Sequence, residues 1–336
     1  MKKLTAITTV VVVAAFGSLT GCSSSGGGLG GGASAAAGAG TGTAGSGANS
    51  GGTVHVGTIP NPSSIAVYLG KQQKMFGDVN VETKVATGFA PNLAAVVNGE
   101  SQVGFAAVIP LMVAVSKGAP IKIVAGTDRT PAKYDAATDP DNVFVSAKSS
   151  IKSASDLEGK TVAVTALGSI QDLGIKITVK KAGGDPSKVK FLSLGSADMI
   201  AALKAGRVDA VALSEPFTSE ARNDKLTPLF SYATSPMPGL PVGAYFTSVS
   251  TLSKDSGSLS TFVSGIKKAT AYAQANPDKV KAALPGYTGI PAKVANKVST
   301  FPYTTDITPA QIAKLSALLK EYGYTSKSVT AQQILP

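Results

Sequence analysis

From Thr53 onward, short apolar runs of strand length alternate with stretches in which apolar residues recur every three or four positions, the pattern of strands joined by amphipathic helices. Gly195 to Phe217 shows the unit in full. Met199, Ile200, Ala202 and Leu203 line one face of a short helix behind Ser196 and Asp198, Gly206 ends it, and Val208 to Leu213 reads as a buried strand. The strand stops at Ser214, Glu215 and Pro216, which puts a carboxylate at its carboxyl end, where open α/β sheets place ligand contacts.

The same unit occurs earlier. Gly88 to Ile109 superposes on Gly195 to Pro216 without a gap, pairing Gly88 with Gly195, Ala94 with Ala201, Ala95 with Ala202 and Gly99 with Gly206. Upstream, after a one-residue slip, Thr53, Val54 and Val56 pair with Thr161, Val162 and Val164. The chain therefore reads as one strand, loop and helix unit built twice, giving two lobes.

In order, the pattern predicts a strand at Thr53 to Gly57, a helix opened by Pro62 and capped by Asn61, a strand at Val79 to Val85, the first copy of the unit ending at Ala107 and Val108, a helix at Leu111 to Lys117 and a strand at Ile121 to Gly126. The polar stretch Thr127 to Asn142 reads as a lobe boundary, Val143 to Ser146 as a candidate crossing strand and Gly243 to Val249 as the return. Lobe 1 is expected over 53–142, lobe 2 over 143–242, and the return with C-terminal helices over 243–336. Those last helices span Leu259 to Ala275, a segment to Leu284, Pro291 to Val298, and Thr308 to Tyr322.

Ahead of Thr53 the pattern changes. Lys2 and Lys3 precede an apolar run, Leu4 to Phe16, shorter than the ~20 residues that span a bilayer, so residues 1–21 read as a secretory signal peptide. Leu19-Thr20-Gly21-Cys22 resembles the lipobox of bacterial lipoproteins, which implies lipidation of Cys22 and cleavage just before it. Ser23 to Gly52 is nearly all Ser, Gly, Ala and Thr; such a segment buries no core and spans roughly 30 Å as a flexible tether. The expected location is the extracytoplasmic face of the cell membrane, through a lipid anchor at Cys22.

Composition narrows the chemistry. With 336 residues the chain is long enough for two cores. The net charge of +11 is scattered singly, at Lys148, Lys160, Lys176, Lys190 and Lys204 among others, which argues against a nucleic-acid partner. One cysteine and one histidine, Cys22 and His55, cannot assemble a structural zinc site, a disulfide framework or a Cys/His nucleophile, so no metal, cofactor or catalytic residue is assigned.

Four strand–loop–helix corners are candidates for a ligand shell: Asn61, Ser63 and Ser64; Thr87, Gly88 and Phe89; Gly168, Ser169 and Gln171; and Ser196 with Asp198. Helix N-termini carry unpaired N–H groups that suit sulfonate, carboxylate or phosphate oxygens. Ala107, Val108 and Glu215, at the ends of the two copied strands, complete the set. Glu215 would repel a simple anion and pair with an amine, amidine or hydroxyl, unless it faces a lysine outside the cleft; this favours a zwitterionic or heterocyclic solute.

Asp156 to Val164 (DLEGKTVAV), Gly168 to Leu173 (GSIQDL) and the Gly195 to Phe217 unit resemble the substrate-binding proteins of nitrate, sulfonate, taurine and pyrimidine-precursor ABC importers, the group called SsuA/THI5-like or NMT1-like. The resemblance covers roughly residues 53–325. It implies an α/β, two-lobed periplasmic-binding-protein fold of the second topological type, each lobe a mixed sheet flanked by helices, with two crossing strands as the hinge. It also implies a monomer that encloses a small-molecule solute and delivers it to an ABC permease. The alternatives are an enzyme on the same fold, though the related pyrimidine-forming enzymes use a histidine and a cysteine-rich stretch missing here, and a sensing or adhesive surface lipoprotein.

Overall fold

The computed structural model describes residues 52–254 and 257–336. The expected signal peptide, the lipidation site Cys22 and all of the tether but Gly52 lie outside the described residues.

Two five-stranded sheets share one topology. In lobe 1, β1 (Thr53–Thr58), β2 (Asn80–Val85), β3 (Val103–Ala107), β4 (Ile121–Gly126) and β10 (Gly243–Ser248) lie in the order β2-β1-β3-β10-β4. In lobe 2, β5 (Asp141–Val145), β6 (Thr161–Val164), β7 (Lys190–Ser193), β8 (Ala210–Ser214) and β9 (Thr227–Phe230) lie in the order β7-β6-β8-β5-β9. Each sheet has four strands running in one direction and one antiparallel strand, β10 or β5, entered after the chain changes lobe. The matching orders carry the duplication from sequence into topology.

The helices fill the spaces between strands: α1 (Ile65–Gln72), α2 (Phe89–Val97) and α3 (Val108–Ser116) in lobe 1, then α4 (Ile170–Lys181), α5 (Ser196–Lys204) and α6 (Phe217–Asn223) in lobe 2. After β10 come α7 (Val249–Lys254), α8 (Ser258–Ala275), α9 (Pro277–Thr288), α10 (Ala292–Ala295), α11 (Pro309–Glu321) and α12 (Ala331–Ile334). Start signals are explicit at two of them: Ser169 caps α4 in a box with Asp172, and Thr308 caps α11 in a box with Gln311, with Pro309 in the first turn. Among the described residues no helix is long and apolar enough to cross a membrane.

Strand alternation builds the cores. In lobe 2, Val143, Val145, Val162, Val164, Ala210 and Ala212 face α4, while Phe144, Ala163, Val211 and Leu213 face α5 and its Met199, Ile200 and Leu203. In lobe 1, Val54, Val56, Phe105 and Tyr245 pack against Phe262 and Ile266 of α8, and Ala106, Ala244 and Phe246 pack toward α3. That last cluster also takes in Leu173 and Ile177 of α4 and Leu315 and Leu319 of α11, so apolar burial joins the lobes along one side. Gly174, on the same helix, sits against the carbonyl of Tyr232, where no larger residue fits.

The crossings differ from the sequence expectation in position. Val143 to Val145 falls in β5 and Gly243 to Ser248 makes up β10, strands inside the sheets, while Val249 opens α7. The passage between lobes is made by extended residues 127–130, which follow β4, and 240–243, which run into β10; the two are antiparallel, with Thr130 N–H donating to the Leu240 carbonyl and Val242 N–H to that of Asp128. A third run, residues 302–305, joins them through Arg129 N–H to the Pro302 carbonyl and Thr304 N–H to that of Thr127. The hinge is a three-run ribbon, and its third member comes from a segment that sequence periodicity leaves as loop.

Candidate functional site

A cavity of about 340 Å³ lies between the lobes, beside this ribbon. Its size suits a small organic molecule. Lobe 1 contributes Asn61 to Ser63, the cap and first residues of the short 3-10 helix Pro62–Ser64 that leads into α1, Phe89 at the start of α2, and Phe105 to Ala107 at the end of β3. Lobe 2 contributes Asp141 at the start of β5, Thr165, Ser169 to Gln171 at the start of α4, Ser214 and Glu215 after β8, and Tyr232. Val242 and Gly243 from the ribbon and Ser299 to Phe301 close it. A wider groove of about 680 Å³ runs between α6 and residues 290–297, but its lining contains no strand end and draws on no corner of the duplicated unit.

Of the sequence candidates, Asn61, Ser63, Phe89, Ala107, Ser169, Gln171 and Glu215 stand at the cavity. Ser64, Thr87, Gly88, Val108, Gly168, Ser196 and Asp198 are not among its lining residues. Sheet order explains four of these. Thr87 and Gly88 follow β2, and Ser196 and Asp198 follow β7, both edge strands, and of these two corners only Phe89, at the start of α2, reaches the cavity. Thr87 lines a separate crevice beside α2, and Asp198 is solvent-exposed. Ser64 is buried, bonding the Ile59 carbonyl and the Tyr287 hydroxyl; Val108 is buried, its N–H donating to the Val242 carbonyl 2.8 Å away. Gly168, at φ +76°, makes the turn into α4 and donates its N–H to Asp172.

The cavity-lining polar groups are held in place from behind. Asn61 accepts from Ser64 N–H at 3.1 Å, which fixes the start of the first helical turn. Ser63 donates to Asp128, a buried carboxylate that also accepts from the Thr127 hydroxyl (2.9 Å) and Gly243 N–H (3.0 Å). Burial pushes the Asp128 carboxyl up, and these donors pull it back. Gln171 accepts from the N–H (2.6 Å) and hydroxyl (2.8 Å) of Thr165 and donates to the Ala212 carbonyl (3.1 Å), tying the loop after β6 to β8.

Glu215 lies at the cavity wall, yet its carboxylate is engaged by protein. It accepts from the Ser219 hydroxyl (3.0 Å) and N–H (3.3 Å) and from Ser299 N–H (3.3 Å), and Arg222 stands 3.4 Å away. Burial raises its pKa against those donors and Arg222. The side chain thus ties the end of β8 to the segment around Ser299, which Ser219 reinforces by donating to the Lys297 carbonyl at 3.0 Å.

The carboxylate that sequence reasoning passed over is Asp141. It lines the cavity, is 7% exposed, and has its pKa pushed up to about 7, first by burial and then by the charge of Asp139, against the Tyr232 and Ser214 hydroxyls. In the sheets its place is the counterpart of Gly243: Asp141 pairs with Ser214 as Gly243 pairs with Ala107, and Ala107 superposes on Ser214 in the repeat. The first residue of each strand entered after a crossing was the signal that could have found it. Among the described residues no group of three or more His, Cys, Asp or Glu is placed to hold a metal ion. His55 is an outer strand residue 3.2 Å from Glu82.

Twin sheets of this order, joined by a ribbon with a cavity beside it, define the two-lobed periplasmic-binding-protein fold. The chain belongs to the NMT1/THI5-like family, whose model matches residues 61–280. No curated protein matches the sequence. Among solved structures, it is similar to the periplasmic aliphatic sulphonate binding protein SsuA from Escherichia coli, with 20% identity, a TM-score of 0.70, and 84% of this chain and 92% of that one covered. It is also similar to the alkanesulfonate-binding protein SsuA from Xanthomonas axonopodis pv. citri bound to MOPS (19% identity, TM-score 0.67, 84% and 97% covered). A third is a ligand binding component of an ABC-type import system from Staphylococcus aureus (14% identity, TM-score 0.69, 84% and 96% covered).

Proposed function

We propose that the protein is the extracytoplasmic solute-binding lipoprotein of an ABC importer, a monomer anchored to the membrane through Cys22, that captures a small organic solute between its lobes and presents it to a permease. The observation that carries this reading is the cavity itself: both copies of the repeat contribute a helix N-terminus and a strand end to one space, and a hinge ribbon runs beside it. The sulfonate ligands of the two SsuA proteins put sulfonates and taurine-like zwitterions first among candidate solutes, with hydrogen-bonding heterocycles beside them because Phe89, Phe105 and Phe301 offer flat apolar walls. Asn61, Ser63, Ser169 and Thr165 supply the neutral polar contacts. Glu215 serves as an interlobe tie.

Native mass spectrometry of the purified protein is expected to find a co-purifying small molecule, and thermal unfolding is expected to shift with the matching solute. At a hundredfold excess over Kd the gain is about 2.7 kcal/mol. An empty protein that shifts with no sulfonate, zwitterion, amine or heterocycle refutes the reading. Cys22→Ser is expected to release the protein from the membrane fraction, and retention there removes the lipid anchor from it.

A further inference from the structure

Among the described residues that line the cavity none is a lysine, arginine or histidine, while two, Asp141 and Glu215, are carboxylates. The two differ in one respect that matters. Glu215 has Arg222 and three protein donors around its oxygens. Asp141 faces the hydroxyls of Tyr232 and Ser214, and none of the ion pairs among the described residues includes it. Those two hydroxyls also hold each other, Ser214 Oγ to Tyr232 Oη at 2.6 Å. A carboxylate out of water without a countercharge is costly, so one held at the wall of a binding cavity is a place for an incoming cation.

We propose that Asp141 is the specificity determinant of the cavity and that the solute carries a protonated nitrogen, an ammonium or amidinium, which docks on its carboxylate. This rests on the solute-binding reading above and narrows it. The remainder of the guest lies toward the Phe89 and Phe301 rings and the corner at Asn61 and Ser63, whose side chains are uncharged, so an anionic group there is tolerated but not required. A plain sulfonate, whose only charge is negative, finds no cation at the wall and one unneutralised carboxylate, and it is disfavoured.

The groups facing Asp141 set the pH behaviour. Asp139 precedes it, Asp128 lies on the ribbon, Glu215 follows the paired strand β8, and Tyr232 comes from the segment after β9; Arg222, beside Asp139 and Glu215, is the nearby cation. With the Asp141 pKa near 7 in the free protein, a permanently charged guest binds more weakly as pH falls from 8 to 5, because it must displace a proton.

The test is calorimetric titration of three matched pairs: taurine against isethionate, benzylamine against benzyl alcohol, and benzamidine against benzamide. In at least one pair the nitrogen cation binds tenfold or more tightly than its neutral-ended partner, a gap equivalent to about 1.4 kcal/mol. Asp141→Asn closes that gap, and the cation's affinity in the wild type falls toward pH 5 while its partner's does not. The pH arm needs no variant, so misfolding of Asp141→Asn leaves the proposal open to refutation. Isethionate, benzyl alcohol or benzamide binding as well as its charged counterpart overturns the assignment of Asp141 and leaves solute binding standing. Binding of none of the six, with no nitrogenous cation released from the purified protein on denaturation, overturns it as well; only if nothing at all is released does the solute-binding reading fall with it.

Discussion

Replacing Asp141 by asparagine is expected to make the ligand-free protein more stable. The folded carboxyl titrates near 7 against an ordinary value of 3.8, so between those limits the native state holds a proton that the unfolded chain has lost. The sign follows: stability falls as pH rises from about 4 to about 7 and stays reduced above it. At ~1.4 kcal/mol per pKa unit, a shift of three units costs the native state on the order of 4 kcal/mol at pH 8. Asparagine keeps the shape and removes the charge. At roughly 2 °C per kcal/mol for a chain of this size, Asp141→Asn melts roughly 8 °C above the wild type at pH 8 and level with it at pH 4. The assay is thermal unfolding across pH 4 to 8 of protein stripped of bound solute by unfolding and refolding. Asp128, Asp139 and Glu215, also raised by burial, tilt both curves, so the difference between the curves isolates Asp141. Parallel curves at all pH values refute the argument, because they mean that Asp141 is as well compensated in the fold as in water.

Gly174→Ala places a methyl group against the Tyr232 carbonyl oxygen, with backbone on both sides and no flexible side chain to yield. Urea unfolding is expected to show a loss of ~3 kcal/mol or more, with the interlobe cluster around Leu173 and Ile177 loosened first. Arg222→Ala leaves Glu215 buried without its cation and removes the 2.6 Å bond to the Asp139 carbonyl; a loss of ~3–5 kcal/mol is expected near neutral pH, smaller in acid where Glu215 takes a proton, and a loss independent of pH would count against the pairing.

Most of the scaffold could be read from the residues, because strands such as Ile121–Gly126 and Thr161–Val164 are short, mostly apolar runs with turns at both ends. Helices with explicit caps, α4 behind Ser169 and α11 behind Thr308, were legible for the same reason. The edge strand β9, Thr227–Phe230, was not; it is four residues long and contains Pro228, which an edge tolerates and a periodicity reading rejects. The corners of the site were half legible. All four look alike along the chain, and sheet order separates the two at central strands, which line the cavity, from the two at edges, of which only Phe89 reaches it. Glu215 stood out, but its partner Ser299 lies 84 positions away, a pairing no local pattern carries. Asp141 was hidden among the acids of the polar Thr127 to Asn142 stretch, and its environment is made by Ser214 at the end of β8 and Tyr232 after β9, both far along the chain.

Because Asp141 and Gly243 occupy the same place in the two sheets, the cavity has near-mirror walls with charge on one alone. A guest with unlike ends can settle in only one direction, amine toward the β5 wall, so whatever receives it from the opened cleft meets the same end each time. The arrangement is also hard to reverse. A side chain at Gly243 would run into Thr127, the Phe105 ring and the Asp128 carboxylate, so new ligand preferences can be installed at position 141 while the opposite wall has no room to change.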